Sequence, residues 1–277
     1  MTIIKKLYPF KEKEFKKLLK EIFKDALWLK VFLNDNHHGF IHGNQVRVAC
    51  LKLIQKLSPS EKAEFIKAGN KISPNNSSKY AVIAVEIAAI FHDCGRFNDS
   101  GEVIDKEQRF HHILSAKRAK IFCEKLGLII IAPAVASAIL SHDFQSRKLT
   151  PNLKSPKNII GKIVQSSDQM GWFHPDSINR TLAFNKALGA PFYNPTVSIK
   201  ERLKWTPTIK AGDALTVMLS QLFGPTGKDR FGVQFAQKKV EEYKVKLEKN
   251  IIKMAAKHNL SGEVKLVIQD FKNRKIL

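Results

Sequence analysis

Residues 80–91, YAVIAVEIAAIF, run directly into His92-Asp93-Cys94-Gly95-Arg96, and this stretch decides how the chain is read. A helix that is apolar almost all round has no face to offer to water, so the segment predicts the central helix of a core. It ends by delivering an imidazole and a carboxylate at the inner end of that core.

The flanking sequence is helical in pattern nearly throughout. Residues 10–31 place Phe15, Leu18, Leu19, Ile22, Phe23, Ala26 and Leu27 on one stripe, with lysines opposite. Residues 39–57 repeat the pattern with Val46, Ala49, Cys50, Leu53 and Leu57. Ser58-Pro59-Ser60-Glu61 reads as a stop followed by a capped start with proline in the first turn. The polar run 73–78 reads as a loop. Further helices are expected over 107–126, from Pro133 to His142, over 158–171 and over 177–188. Prolines and glycines punctuate 191–227; a long basic helix follows over 228–257. Residues 263–269 alternate like a strand and fit a helix equally well. The fold class is all-α, a helical bundle with no internal repeat and no glycine-rich phosphate loop. The expected organisation is an N-terminal helix (1–37) packed on a core (38–190), with a helical extension (191–277) packed on that same core.

Composition sets the broad class. Hydrophobic residues make up 44% and charged residues 26% of 277, which suits a globular protein with a full core. Forty-seven Lys and Arg against 25 Asp and Glu give a net charge of +22. Such a field attracts anions such as nucleotides, phosphoesters or nucleic acid, although solvated lysine faces produce the same count. Much of the excess lies between Lys5 and Lys30 and between Lys228 and Lys275. Three cysteines form no CxxC and favour a reducing compartment. Cys94 is either a soft ligand or a packed apolar residue. The first residues lack the apolar stretch of a signal peptide, and the longest apolar run, 126–140, contains Pro133 and is short of a span. A cytoplasmic protein with no membrane span is expected.

The chemistry-bearing residues occur in the order His42, His92-Asp93, His111-His112, His142 and Asp168, each within or at the end of a helical apolar run. Any one of these histidines alone reads equally as a hydrogen-bonded core or surface residue. Imidazoles and carboxylates from converging helices are how a bundle builds a metal site, and such a site is a Lewis acid for phosphate ester chemistry. The set therefore points to a hydrolase.

The local frames resemble the HD superfamily of metal-dependent phosphohydrolases. His42-Gly-Asn-Gln-Val46 resembles its first motif. IAAIFHDCGR (87–96) resembles the defining helix end, and His111-His-Ile-Leu-Ser115-Ala116 the third motif. AILSHD (138–143) resembles the fourth and IVQSSDQMG (163–171) the last. The resemblance covers about residues 38–185. It implies that His42, His92, Asp93 and Asp168 bind one divalent metal. His111 and His142 either complete a second site bridged by Asp93 or hold the substrate phosphate. The frame to Ser115 selects His111 over His112. Mn, Fe, Co, Ni or Zn suits the nitrogen and oxygen donors, with Mg also admissible. Asp93 or Asp168 could accept a proton from the attacking water. Arg96 stands where relatives carry a basic residue, and it either clamps phosphate or pairs with Asp99 or Asp105.

His37 and His38 read as surface or rim residues, and Asp143 as a group that orients a ligand imidazole. Trp172, Phe173 and His174 either line the pocket or pack in the core. The chain departs from the resemblance in three places. The His42-to-His92 gap is long, implying an inserted helix and loop around 58–78. The Gly-Tyr-Pro of the cyclic-di-GMP branch is absent after His142, and the Glu-Asp of the guanosine-tetraphosphate hydrolases is absent after Asp93. The expected substrate is a nucleotide or another small anionic phosphoester. The alternatives are a phosphodiesterase acting on nucleic acid or a phosphoribosyl-linked protein, and a non-catalytic basic binding module with a structural metal.

Overall fold

The computed structural model describes residues 11–35, 38–102, 111–143, 155–174, 177–187, 189–198, 201–202, 212–223 and 230–275. Among these the chain forms twelve α-helices. They are α1 (Glu12–Ile22), α2 (Leu27–Asn34), α3 (Phe40–Gln55), α4 (Pro59–Ile72), α5 (Ser77–Phe91), α6 (His111–Lys125), α7 (Ala132–Ser141), α8 (Ile159–Phe173), α9 (Ser177–Ala187), α10 (Ala214–Leu222), α11 (Gln234–Ala256) and α12 (Ser261–Lys275). The expected all-α class holds. Residues 263–269, which fitted strand and helix alike, lie within α12. Lys5, His37 and Asp105 fall outside the described residues.

The chain divides into two compact units. Residues 1–168 and 228–236 form one; residues 169–227 and 237–277 form the other. The first unit is organised around α5. Every residue from Ile83 to Phe91 is buried, and α5 packs on α3, α4, α6 and α7. Gly43 lets α3 approach closely: a Cβ there would lie 2.7 Å from the Ile90 carbonyl oxygen. Aromatic rings fill one side of this core. Phe15 stacks on Phe122 at 5.2 Å, and Phe91 meets Phe122 at 5.0 Å.

The stripe over 10–31 does not form one helix. It breaks at residues 23–26, where the Ala26 N–H donates to the Phe23 carbonyl. The bend lets α1 bury Phe15 and Leu19 while α2 buries Trp28, Leu29 and Phe32. One straight helix would present these two sets in different directions. Phe23 closes the corner edge-on against Trp28 at 5.1 Å.

The capped start at Ser58 is present and reaches further than its local motif. The Glu61 carboxylate accepts from the Ser58 N–H at 2.9 Å and the Ser58 hydroxyl at 2.8 Å. Its other oxygen accepts from the Gln234 N–H at 2.8 Å, so one side chain caps α4 and ties residues 230–236 to it. The three cysteines, Cys50, Cys94 and Cys123, are all buried and unpaired. Burial pushes each thiol up to about 12.

The second unit has its own core. Leu215, Met218 and Leu219 of α10 gather with Leu247 and Ile251 of α11 and Val264 and Ile268 of α12. Asp213 caps α10 by accepting from the Thr216 N–H at 2.8 Å, and Arg202 Nη1 donates to both its oxygens at 2.6 Å. Asn259 takes a left-handed φ of 57° to end α11, a conformation asparagine tolerates better than most residues. No helix among the described residues is long and apolar enough to cross a membrane.

Glu61 yields a prediction with a defined sign. Burial alone would raise its pKa, but the N–H groups of Gln234 and Ser58 outweigh it and hold the carboxyl below its ordinary 4.5. A lowered folded-state pKa means stability that is fully present above 4.5 and lost as pH falls through the folded value. Glu61→Gln should therefore cost about 1 kcal/mol at pH 7 in urea unfolding. The difference from wild type should shrink as the buffer is taken below 4.5.

Candidate metal centre

His42 lies in the first turn of α3, and His92 directly follows the last residue of α5. Asp93 comes next, ahead of a 3-10 turn at Cys94–Arg96. His111 opens α6, His142 directly follows α7, and Asp168 sits within α8. The structure brings all six side chains together, each no more than 9% exposed.

Asp93 is the centre of the group, and its two oxygens face different sets. Oδ2 lies 3.5 Å from His92 Nε2 and 3.8 Å from His42 Nε2. Asp168 Oδ1 closes that half, 3.3 Å from His42 Nε2 and 3.5 Å from His92 Nε2. Oδ1 of Asp93 lies 3.2 Å from His111 Nε2 and 3.8 Å from His142 Nε2, and those two nitrogens are 3.4 Å apart. Two trios have ligand atoms close enough to share an ion: His42, His92 and Asp168; and His92, Asp93 and His142.

The imidazoles at the two helix ends are oriented by the same device. His92 Nδ1 lies 2.7 Å from the Ala89 carbonyl, and His142 Nδ1 lies 2.6 Å from the Ile139 carbonyl. A carbonyl can only accept, so each Nδ1 carries the proton and donates. In the neutral ring this leaves the lone pair on Nε2, aimed at the cluster. The last carbonyls of a helix lack partners within the helix, which is why a histidine just past its end can use one.

Charge follows the same plan. Burial would raise the Asp93 pKa, but Arg96 and His92 overcome it and hold the carboxyl well below its usual range. Asp168 is held equally low against burial by His42 and His92. Burial acts to lower His92, yet Asp93 and Asp168 push it up to about 9. Burial and the Arg96 charge instead lower His111. His92 Nε2 is buried with no hydrogen bond, which is costly for a polar atom unless another partner takes it. With Nδ1 of His92 and His142 committed to a carbonyl and both carboxylates ionised, the donor set fits a divalent ion, which His92 would bind on giving up its Nε2 proton.

The surroundings correct several expectations. Arg96 pairs with neither Asp99 nor any described acid but Asp93, its Nε 2.9 Å from Oδ1. Asp99 belongs to Arg118, whose Nη2 reaches it at 2.6 Å. Arg118 Nη1 also donates to the Cys94 and Phe97 carbonyls, at 2.7 and 2.8 Å, and so clamps the turn that carries Arg96. His38 is not a simple rim residue. Its Nδ1 lies 3.0 Å from Asp93 Oδ2, and at 25% exposure it is the most open side chain touching that carboxylate. Nothing in the residues before α3 signals this, because His38 precedes the helix and shares no periodicity with it.

His111, not His112, faces Asp93. His112 is buried beside the His111 ring with neither nitrogen hydrogen-bonded, and burial and the His111 charge lower it to about 4. Asp143 is half-buried and its charge is felt by Arg96 and His111. Cys94 is fully buried. Phe173 is buried, while exposed His174 meets the Tyr243 ring at 5.4 Å. Sequence reasoning also missed Arg230, which is buried and close enough to Asp168 and Asp143 to feel both charges.

Gly95 explains why the motif needs glycine. A Cβ there would lie 2.0 Å from the His111 carbonyl oxygen and 2.7 Å from the Ser115 N. The Gly95 N–H donates to Ser115 Oγ at 2.8 Å, which accounts for the small residue four positions after His111.

Residues 47–170 match the family model described as HD domain. The match covers a little under half of the chain and supports membership of the HD-domain superfamily. His42 lies five residues before the matched segment, so its place in the cluster comes from the geometry. No curated protein matches the chain.

Gly95→Ala should force α6 away from the turn, lowering stability by about 1–3 kcal/mol in thermal or urea unfolding. His38→Ala should leave stability nearly unchanged and weaken divalent metal binding about 10-fold to 100-fold in a competition titration, because Asp93 loses an orienting partner.

Proposed function

We propose that this protein is a metal-dependent phosphohydrolase or phosphodiesterase that acts on a nucleotide or another small phosphoester. The observation that carries the reading is Asp93 turning one oxygen to His42 and His92, which Asp168 also meets, and the other to His111 and His142. His42, His92, Asp93 and Asp168 would hold one divalent ion. His111 and His142, with the second oxygen of Asp93, would hold another or take the phosphate oxygens directly.

A bound divalent ion supplies a Lewis acid that makes water nucleophilic near neutral pH and neutralises charge on phosphoryl oxygens. The chain's own groups do the remaining work. The carbonyls of Ala89 and Ile139 keep His92 and His142 in one tautomer, so the donor atoms are set before any ligand arrives. Asp168, ionised and facing two imidazoles, or Asp93 would accept a proton from the attacking water. Arg96 holds a fixed positive charge beside Asp93 and can stabilise charge on the departing group. Arg96 and His38 are the more exposed members of the cluster, so substrate meets the protein on their side. The net charge of +22 favours an anionic substrate over a neutral one.

His92→Ala combined with Asp93→Ala should abolish metal uptake, measured by elemental analysis, and hydrolysis of bis-(p-nitrophenyl) phosphate with added Mn. Helical content by circular dichroism should stay near wild type. Turnover equal to wild type in that variant would overturn the assignment.

A further inference from the structure

The first unit carries a second concavity that the metal centre does not use. A half-open groove of about 500 Å³ lies between α4, the start of α7 and the start of α8. Its apolar surface comes from Ile72, Ile130 and Pro133, and its charge from Lys67, Lys71 and Lys157. Lys67 and Lys71 are one helical turn apart on α4, and Lys157 comes from the segment leading into α8. Pro133 lies at the start of α7, the opposite end from His142, about 13 Å away along the helix axis.

Its electrostatics are one-signed. Glu64 is the one acid among the lining residues, and Lys162 Nζ already holds both its oxygens at 3.0 and 3.1 Å. No described ion pair engages Lys67, Lys71 or Lys157, three exposed lysines that line the hollow. Ile130, at 55% exposed, is a large apolar side chain left in water on the same surface. A concave site with an apolar floor and a few convergent charges is the build of a small-molecule pocket, and the volume falls within the usual ~300–1,000 Å³.

We propose that this groove is a second binding site, for a small organic anion that carries an apolar or aromatic group. The anionic end meets Lys67, Lys71 and Lys157, and the apolar body covers Ile72, Ile130 and Pro133. Both halves are needed: a bare inorganic anion leaves the isoleucines wet, and a neutral apolar molecule leaves the lysines uncompensated.

The probe is 8-anilinonaphthalene-1-sulfonate, followed by its own fluorescence on the full chain, beside uncharged N-phenyl-1-naphthylamine. Saturable binding of the sulfonate is expected, with the uncharged analogue much weaker. Lys67→Glu with Lys71→Glu should weaken it roughly 10-fold, and Lys157→Glu should weaken it from the other side of the groove. These lysines are exposed, so thermal unfolding should be unchanged. His92→Ala with Asp93→Ala should bind the probe as wild type does, which separates this site from the proposed hydrolase centre. Unchanged affinity in the lysine variants would overturn the proposal. Loss in the His92/Asp93 variant would overturn it by placing the probe in the metal centre. Equal binding of the uncharged analogue would reduce the groove to an apolar patch, and displacement by an acidic peptide alone would make it a protein-docking surface.

Discussion

A carboxylate buried away from water is stable only where other charges and donors replace its solvent, and Asp93 imposes that requirement on everything around it. Five imidazoles, those of His38, His42, His92, His111 and His142, and the Arg96 guanidinium surround one side chain. They arrive from α3 and the residues just before it, from the ends of α5 and α7, from the turn after Asp93 and from the start of α6, so those termini must converge on one point. The buried stretch of α5 from Ile83 to Phe91, apolar but for Glu86, makes this possible, because it can be packed by neighbours on every side. Its position in the core and the position of the carboxylate are one constraint seen at two scales.

The convergence depends on close approach as much as on charge. Gly43 brings α3 onto the backbone of Ile90, and Gly95 brings the turn after Asp93 onto the start of α6. Arg118 then fixes that turn from below, donating to two of its carbonyls and to Asp99 while lying over the Trp28 ring at 4.1 Å. A cluster of imidazoles and carboxylates made from helix ends is held by backbone contacts that permit no side chain and by one arginine that donates to the carbonyls of the turn. Rigidity here comes from the frame, and the donor atoms inherit it.

Much of this was legible in the sequence, for physical reasons that can be named. An apolar run with no polar face can only be central, and Ser58-Pro59-Ser60-Glu61 carries its capping chemistry locally. The order of histidines and aspartates survives because each sits in its own helical frame. What was hidden depends on tertiary contact. His38 reaches Asp93 from a non-helical turn, so no periodicity announces it. Arg96 has acids nearby in sequence at Asp99, yet folding gives Asp99 to Arg118 and leaves Arg96 to Asp93. The break at 23–26 looks like continuous stripe because a stripe records which residues are buried and not against what. Residues 263–269 alternate as a strand would, but helix α12 buries Val264, Val267 and Ile268 at helical spacing against α10 and α11.

The three buried cysteines carry a consequence of another kind. With burial holding each thiol up near 12, almost none is thiolate at neutral pH, and none is open to an electrophile in the folded chain. Cys50 lies on α3, Cys94 beside the His-Asp doublet and Cys123 on α6, three elements that meet around the His/Asp cluster. Their alkylation by a maleimide therefore keeps time with the opening of this core: the folded protein is silent, and each labelled sulfur records that its own helix or turn has come away.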